Sequence, residues 1–239
     1  MTLSGPVLAI DTATRLATLA LGDASGRLLA GRAWAARRGH SETLLDELER
    51  LLHAAGVDVR SLAGIVAGIG PGAFTGLRVG LATAKTLAYA LGRPISGVGT
   101  AEALALAGFA EDHAADRGLE VVVLQPAGPS DRYLTRCRVE VGSVSQVEPP
   151  LLVPGSEPLP ASDGLLLAVD LDQGAGVPHE AIERGRVAQE GLGAALLRLG
   201  TVALAERPDD VSALDAAYVT LPRGVPAAVG GREWSPDLR

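Results

Sequence analysis

Residues 61–94, SLAGIVAGIGPGAFTGLRVGLATAKTLAYALGRP, decide the fold of the first part of this chain. The apolar run at residues 62–69 is short and rich in β-branched side chains, and it stops at Gly70, Pro71 and Gly72. This pattern is typical of a buried strand that ends in a tight turn. The helical segment after the turn ends at Gly92, with a proline just beyond. The stretch therefore predicts a strand, a structural glycine loop and a helix.

Small residues recur at every fourth position of this helix and form a ridge along one face, where another backbone can approach closely. Glycine inside a helix costs about 1 kcal/mol relative to alanine, so packing against the ridge should compensate. The packing partner could be the protein's own second helix or another subunit. For a subunit contact, the predicted interface residues are Phe74, Thr75, Gly76, Leu77, Gly80, Leu81, Ala84 and Ala88.

The glycine loop does not match the common phosphate-binding motifs. The dinucleotide-binding fingerprint is G-x-G-x-x-G, whereas Gly70, Gly72 and Gly76 give G-x-G-x-x-x-G, with one extra residue before the last glycine. A P-loop has glycine before its lysine, whereas Lys85 follows Ala84 deep inside the predicted helix. A helix N-terminus facing the loop would still permit weak anion binding.

Composition narrows the functional classes. The chain has 239 residues and a formal net charge of -7, which disfavours nucleic-acid binding by this chain alone. One cysteine, Cys137, excludes an internal disulfide and is consistent with a cytoplasmic location, and we expect it to be structural rather than nucleophilic. No signal peptide is visible, and the longest uncharged run is too short to span a bilayer, so we expect no membrane contact.

The order of predicted elements indicates an α/β fold with two halves. Strands are predicted at residues 7–10, 16–21, 27–34, 62–69 and 95–98, and helices at residues 41–54 and 100–110. Residues 74–76 lead into a further helix of about four turns that ends at Gly92. The first six of these elements follow the order β-β-β-α-β-α, which predicts a ribonuclease-H-like domain at residues 1–108.

A smaller, divergent domain is predicted at residues 109–239. Strands at residues 120–124 and 132–141 repeat the opening of the first half, and a third strand is predicted at residues 165–169. Residues 143–164 contain many prolines and are expected to be irregular. A helix at residues 191–205 could pack back on the first domain, and residues 218–221 could form a docked strand before a Pro/Gly-rich tail.

An acid, Asp11, follows the first predicted strand and is itself followed by Thr12. It could belong to a vestigial phosphate site, by holding a metal-bound phosphate, or it could satisfy backbone donors in the turn. The sequence favours the turn role.

With the sequence DTAT at residues 11–14 and GPGAFTGLRVGLATAK at residues 70–85, the chain resembles the TsaB family, also called YeaZ. The resemblance is strong over residues 7–105, and residues 37–40 also fit it. Proteins of this family are needed to make threonylcarbamoyladenosine at position 37 of tRNAs that read ANN codons. Membership implies an actin-like ATPase fold of two ribonuclease-H-like halves.

The resemblance also implies a non-catalytic role. TsaB pairs with the catalytic subunit TsaD through the helices of the first domain, and the nucleotide-binding TsaE joins the pair. These relations imply no cofactor bound by this chain alone, ATP or ADP at a junction of the complex, and tRNA contact only through the complex. The same ridge could join two copies of the chain when the partner is absent.

Two differences between this sequence and related proteins agree with a non-catalytic role. TsaD carries two histidines four residues apart, and the matching positions here are Thr100 and Leu104, which cannot replace imidazole ligands. Family members often have Asp-Ala-Arg in the loop that opens the second half, where this chain has Pro126, Ala127 and Gly128.

The alternative is an independent enzyme of the same fold, either a small-molecule kinase or a metallopeptidase-like protein. A kinase needs acids facing the phosphates in both halves, and only Asp11 is in place. A peptidase needs a nucleophile with a base or a metal with its ligands, and the sequence shows neither set.

Overall fold

The computed structural model describes residues 3–35, 43–109, 118–159, 165–172 and 176–219. Within these ranges two sheets and four α-helices form a mixed α/β fold. The strands are β1 (Val7–Asp11), β2 (Leu16–Gly22), β3 (Leu28–Ala35), β4 (Gly64–Gly68), β5 (Ile95–Val98), β6 (Leu119–Pro126), β7 (Asp131–Glu140), β8 (Ser143–Gln146), β9 (Leu151–Pro154) and β10 (Leu165–Ala168). The helices are α1 (Leu44–Ala55), α2 (Phe74–Leu91), α3 (Thr100–Phe109) and α4 (His179–Glu206).

The first sheet has the strand order β3-β2-β1-β4-β5. Strands β1 to β3 are antiparallel, whereas β4 and β5 run parallel to β1. Two short turns connect the antiparallel strands, and the parallel strands are joined by a helical crossover, as parallel pairing requires. This arrangement is the ribonuclease-H-like half that the order of elements predicts.

The second sheet repeats this order in a reduced form. Strand β7 is antiparallel to β6, and β10 is parallel to β6 on its other side. Strand β8 pairs with the end of β7 and β9 with its beginning, so these two short strands together stand where β3 stands in the first sheet. The protein thus has two related α/β halves, as predicted.

Strands β8 and β9 correct the prediction that residues 143–164 are irregular. Each has only four residues, and their side chains are mostly exposed. Such strands show no alternation of buried and exposed positions, so periodicity cannot detect them. They form because the long strand β7 offers them backbone hydrogen-bonding groups along its whole length.

The helices form two layers. Helices α1 and α2 cover one face of the first sheet, where leucines of α1 and the small residues of α2 meet side chains of β1, β2 and β4. Helices α3 and α4 lie between the sheets, and one buried apolar cluster joins them to strands of both halves. The two halves therefore share a core.

Helix α4 begins at His179 rather than at Gly191, the predicted start. Its first part is rich in charges, and ion pairs such as Arg186–Glu190, at 2.6 Å, run along its exposed side. This part lacks the apolar pattern on which the prediction relied, although i,i+4 pairs of opposite charge stabilise a helix.

Glycines allow α4 to approach both sheets closely. A Cβ added at Gly193 would lie 2.8 Å from the Cβ of Ala20 in β2, and one added at Gly200 would overlap Val66 in β4. In the second half, a Cβ at Gly185 would overlap the backbone oxygen of Ala168 in β10. The predicted domain boundary between residues 108 and 109 falls at the end of α3 and stays a prediction.

We expect Gly185→Ala to destabilise the protein by about 1–3 kcal/mol, because the new methyl group meets a backbone atom that cannot turn aside. Urea unfolding followed by circular dichroism measures the change. Gly56→Ala is unsuitable as a control because of its positive φ of 64°, so Gly31→Ala, whose Cβ would have ordinary contacts, serves instead. Equal stability of Gly185→Ala and wild type would contradict the close packing.

Candidate functional site

The glycine loop lies between β4 and α2 and packs against the turn after β1. The Gly70–Pro71 peptide bond is cis, and Gly70 has a φ of 97°, a conformation that favours glycine. The backbone N–H of Ala73 donates to the carbonyl oxygen of Ala13 at 2.8 Å. A Cβ at Gly72 would overlap that same carbonyl. The two turns are therefore in backbone contact.

Asp11 ends β1 and is fully buried beside this loop. Its Oδ1 accepts a hydrogen bond from the Ala13 backbone N–H at 2.8 Å, and its Oδ2 accepts one from the Thr100 hydroxyl at 2.6 Å. The Thr100 hydroxyl oxygen in turn accepts from the Gly70 N–H at 3.0 Å. The carboxylate thus connects β1, the glycine loop and the start of α3.

This geometry gives Asp11 the turn role. Burial removes water from the carboxylate and raises its pKa, although the hydrogen bonds from Thr100 and Ala13 act in the opposite direction. A Cβ at Gly68 would overlap Asp11, so the neighbouring strand closes the remaining side. Among the described residues, no group of three or more His, Cys, Asp or Glu side chains is arranged to hold a metal ion.

Thr12, the second residue of the predicted vestigial phosphate site, packs on α2. Its hydroxyl donates to the Gly76 carbonyl oxygen at 2.6 Å and is buried. A Cβ at Gly80 would overlap the Thr12 oxygen. The small-residue ridge therefore permits a close approach, made by the Thr12 side chain in the turn after β1 of the same chain.

This contact corrects the predicted subunit interface. Six of the eight predicted interface residues are buried within the chain, namely Gly76, Leu77, Gly80, Leu81, Ala84 and Ala88. Of the other two, Phe74 is half-buried and Thr75 is exposed. A partner cannot reach the ridge without displacing the β1 turn and the first sheet, so a contact through α2 has to use the opposite face.

The opposite face of α2 has a different composition, and we call it the outer face. It carries Phe74, Arg78, Ala82, Lys85 and Tyr89, spaced so that they form one stripe along the helix. Tyr89 is 84% exposed. Helix α2 contains no acidic residue, so this stripe bears only positive charge in a chain whose net charge is -7.

A cleft of about 560 Å³ lies between the two halves. Its lining includes Arg15 and Arg132 together with three acids, Asp131, Asp170 and Asp172. Residues 126–128, which stand where family members often have Asp-Ala-Arg, form part of one wall of the cleft. They contribute no charged side chain. Charges of both signs therefore surround this cleft, with carboxylates in excess.

Direct hydrogen bonds tie the halves together around the cleft. Gln125, at the end of β6, donates to the Pro71 carbonyl oxygen at 3.0 Å. The Arg15 backbone N–H donates to Asp170 Oδ2 at 2.6 Å, and Asp170 has a positive φ of 59°.

The other residues discussed in the sequence analysis are packed or hydrogen-bonded inside the protein where the structure describes them. Leu104 is fully buried in the shared core, and Thr100 is committed to Asp11. Burial, and secondarily the charge of Glu102, raises the pKa of Cys137 to about 12, so its thiol stays protonated. Residues 37–40 and 220–239 lie outside the described residues, so the proposed docked strand is described only at Tyr218 and Val219, neither of which is in a strand.

Comparisons with known proteins agree with this architecture. The family model of TsaD, tRNA N6-adenosine threonylcarbamoyltransferase, matches residues 34–147. A Geotalea uraniireducens protein named tRNA N6-adenosine threonylcarbamoyltransferase is 47% identical over 76 residues, which are 32% of this chain and 22% of that protein. The Bacillus subtilis tRNA threonylcarbamoyladenosine biosynthesis protein TsaB is 35% identical over 102 residues, 43% of this chain and 44% of that protein. The chain thus matches less than half the length of these curated relatives.

A solved structure, YeaZ from Pseudomonas aeruginosa, matches much more of the chain. It has a TM-score of 0.69 and 25% sequence identity, and the match covers 90% of this chain and 100% of YeaZ. Among the described residues, no helix has the length and apolar character needed to cross a membrane.

Strand order and the paired halves define the class: this is an actin-like ATPase fold built from two ribonuclease-H-like halves. Within that class, the match to YeaZ over 90% of this chain and the match to TsaB support the TsaB/YeaZ family.

The buried Asp11 carboxylate gives a testable pH dependence. Its pKa is raised in the folded state, so the folded protein binds the proton more tightly than the unfolded chain. Its contribution to stability is therefore fully present below the unfolded pKa of about 3.8 and is lost as pH rises through the folded pKa. Asp11→Asn lacks this titration. We expect the free energy of unfolding of wild type, relative to that of Asp11→Asn, to fall as the pH rises from 4. Urea unfolding measures both values, and a difference that does not change with pH would contradict the raised pKa of Asp11.

The contact between Thr12 and the ridge can be tested by a double-mutant cycle. We expect Gly80→Ala to cost about 1–3 kcal/mol because its Cβ overlaps the Thr12 hydroxyl. Thr12→Ala removes that hydroxyl and makes room, so the double variant should be less destabilised than the sum of the two single variants. Additive changes in the free energy of unfolding would show that the two residues do not touch.

Proposed function

We propose that this protein is a non-catalytic subunit of a bacterial complex that adds threonylcarbamoyl to adenosine 37 of tRNAs that read ANN codons. In this role it binds and activates a TsaD-type catalytic subunit. The name of the B. subtilis relative, a tRNA threonylcarbamoyladenosine biosynthesis protein, supports the pathway. The likeness to YeaZ over 90% of this chain links the proposal to it.

The observation that carries the non-catalytic role is the sealed position of Asp11. Both carboxylate oxygens accept hydrogen bonds within the protein, and the side chain is fully buried. In a kinase of this fold, an acid in this place would have to face the phosphates. Here the glycine loop and the β1 turn are in contact at that point, and Asp11 acts as a structural joint.

The outer face of α2 is the surface that we assign to the partner. It combines the exposed ring of Tyr89 with the Arg78 guanidinium and the small side chain of Ala82, and the stripe from Phe74 to Tyr89 is about 22 Å long. Aromatic side chains and arginine are enriched at the centres of protein interfaces. Leu45 of α1, which is 62% exposed, adds an apolar side chain on the same side of the first sheet.

The other components follow from this role. A TsaE-type ATPase would join the pair, and tRNA would be contacted through the complex, because the net charge of -7 gives this chain little attraction for a phosphate backbone. This chain would bind no cofactor alone, and ATP or ADP would lie at a subunit junction, since the cleft between its halves has an excess of carboxylates. The outer face could also join two copies in the absence of the partner, and the protein would act in the cytoplasm.

We expect Ala82→Arg to abolish binding of the TsaD-type subunit and to reduce tRNA modification at least about tenfold, because a long charged side chain separates the two surfaces. Copurification and reconstituted formation of threonylcarbamoyladenosine measure the two effects. Val202→Arg is the matched control, since Val202 is exposed on α4, against the other face of the first sheet. Unchanged binding by Ala82→Arg would exclude the outer face as the interface.

Asp11→Asn tests the non-catalytic role in the same assay. It keeps the shape of the turn, so we expect the complex to assemble and modification to remain within about twofold of wild type. Loss of modification in an assembled complex would assign Asp11 a chemical role and overturn the proposal.

A further inference from the structure

After α4 the chain crosses to the other side of the first sheet, and we call residues 207–218 the C-terminal strap. The Asp209 backbone N–H donates to the Ile95 carbonyl oxygen at 2.8 Å, and its side chain accepts from the Gly97 N–H at 2.8 Å. Further along, the Ala217 N–H donates to the Ile69 carbonyl oxygen at 2.8 Å. The strap therefore satisfies backbone groups on the outer edge of β5 and after β4.

The strap is also fixed to α2 by Lys85, the single lysine of the sequence. Its Nζ donates to the carbonyl oxygens of Leu214 at 2.8 Å and Ser212 at 3.3 Å. The turn that presents these carbonyls is held by Asp210, whose Oδ1 accepts from the Ser212 N–H and hydroxyl, each at 2.7 Å. Lys85 thus binds a preformed turn of the strap.

At its end the strap places an aromatic ring on the outer face of α2. The Tyr218 ring lies 5.4 Å from that of Phe74, and the Arg78 Cζ lies 4.0 Å from the centre of the Phe74 ring. Arg78 Nε donates to the Tyr218 hydroxyl at 3.2 Å. These three side chains form one cluster at the start of the stripe, with Arg78 exposed and both rings half-buried.

We propose that the strap is part of the surface that receives the partner subunit, so that docking of the strap and binding of the partner stabilise each other. This inference rests on the proposed function. The strap extends the outer face without interruption, because Tyr218 touches two residues of the stripe. Undocking the strap would remove one aromatic ring from that surface and would leave Arg78 without the acceptor for its Nε.

The charge of this surface defines the chemistry of its occupant. Helix α2 has no acid, and Lys85 is committed to the strap. Arg78 donates its Nε to Tyr218 and stacks over the Phe74 ring. A guanidinium has further N–H donors in a fixed plane that suit a carboxylate. The occupant that fits this surface is a segment of the TsaD-type subunit that carries a carboxylate among apolar side chains, facing Arg78.

Two strap variants test this coupling with the full-length protein and the TsaD-type subunit from the same organism. Tyr218→Ala removes the ring from the surface, whereas Asp209→Ala releases the strap at the β5 edge, at a distance from the stripe. Calorimetric titration should show affinity lowered at least about tenfold for both. Asp23→Ala is the matched control, because Asp23 also accepts hydrogen bonds from backbone N–H groups in a turn. This turn lies beside β3, at the opposite edge of the sheet. We expect the affinity of this variant for the TsaD-type subunit to stay within about twofold of wild type.

Hydrogen exchange of the wild-type protein provides a second readout that needs no variant. Because coupling is reciprocal, partner binding should slow exchange of the Asp209 and Ala217 amides. Wild-type affinity in both strap variants, or unchanged exchange of these amides in the bound protein, would overturn the inference while leaving the proposed function intact. If the wild-type protein does not bind the subunit at all, the proposed function fails and the inference fails with it.

Discussion

One buried carboxylate holds the centre of the first half together. Asp11 joins the end of β1 to the start of α3 through Thr100, and Thr100 also receives the backbone N–H of the glycine loop. Desolvation makes such a group costly, and fixed hydrogen bonds recover part of the cost. The position of Thr12, and hence the close packing of α2, follows directly from this joint, because Thr12 is the next residue along the chain.

The contact of Thr12 with α2 determines which face of this helix is buried and which is exposed at the protein surface. With the ridge turned against Thr12, the helix presents its aromatic and cationic side chains outward, and the C-terminal strap can lie beside them. A protein of this fold that kept an open phosphate site would need space between the two turns. Here the two turns touch, because the Ala73 backbone N–H donates to the Ala13 carbonyl oxygen.

Sequence patterns predicted the first half well because its signals are local. The strand, glycine loop and helix at residues 61–94 were confirmed, and so was the β-β-β-α-β-α order. The short strands β8 and β9 were missed because only pairing with β7 creates them, and the first part of α4 was missed because charge pairs, not apolar periodicity, support it.

For the site, the sequence predicted a close approach to Gly76 and Gly80 but not what approaches. The two cations of α2, Arg78 and Lys85, mark its exposed face, but composition does not show which segment covers the opposite face. The deciding contact, from Thr12 to Gly76, joins positions 64 residues apart. A periodic pattern identifies a face of a helix, and only the folded chain shows what covers it.

The location of α4 has a consequence for how the chain folds during synthesis. The first sheet is complete once β5 has been made, yet the side chains of Val7, Ala9 and Val66 that face α4 stay uncovered until residues 179–206 appear. Contacts between such distant segments slow folding, and a transiently exposed apolar sheet is prone to aggregation. The nascent first half therefore keeps part of one apolar side open to the solvent, or to a chaperone, until residues 179–206 have left the ribosome.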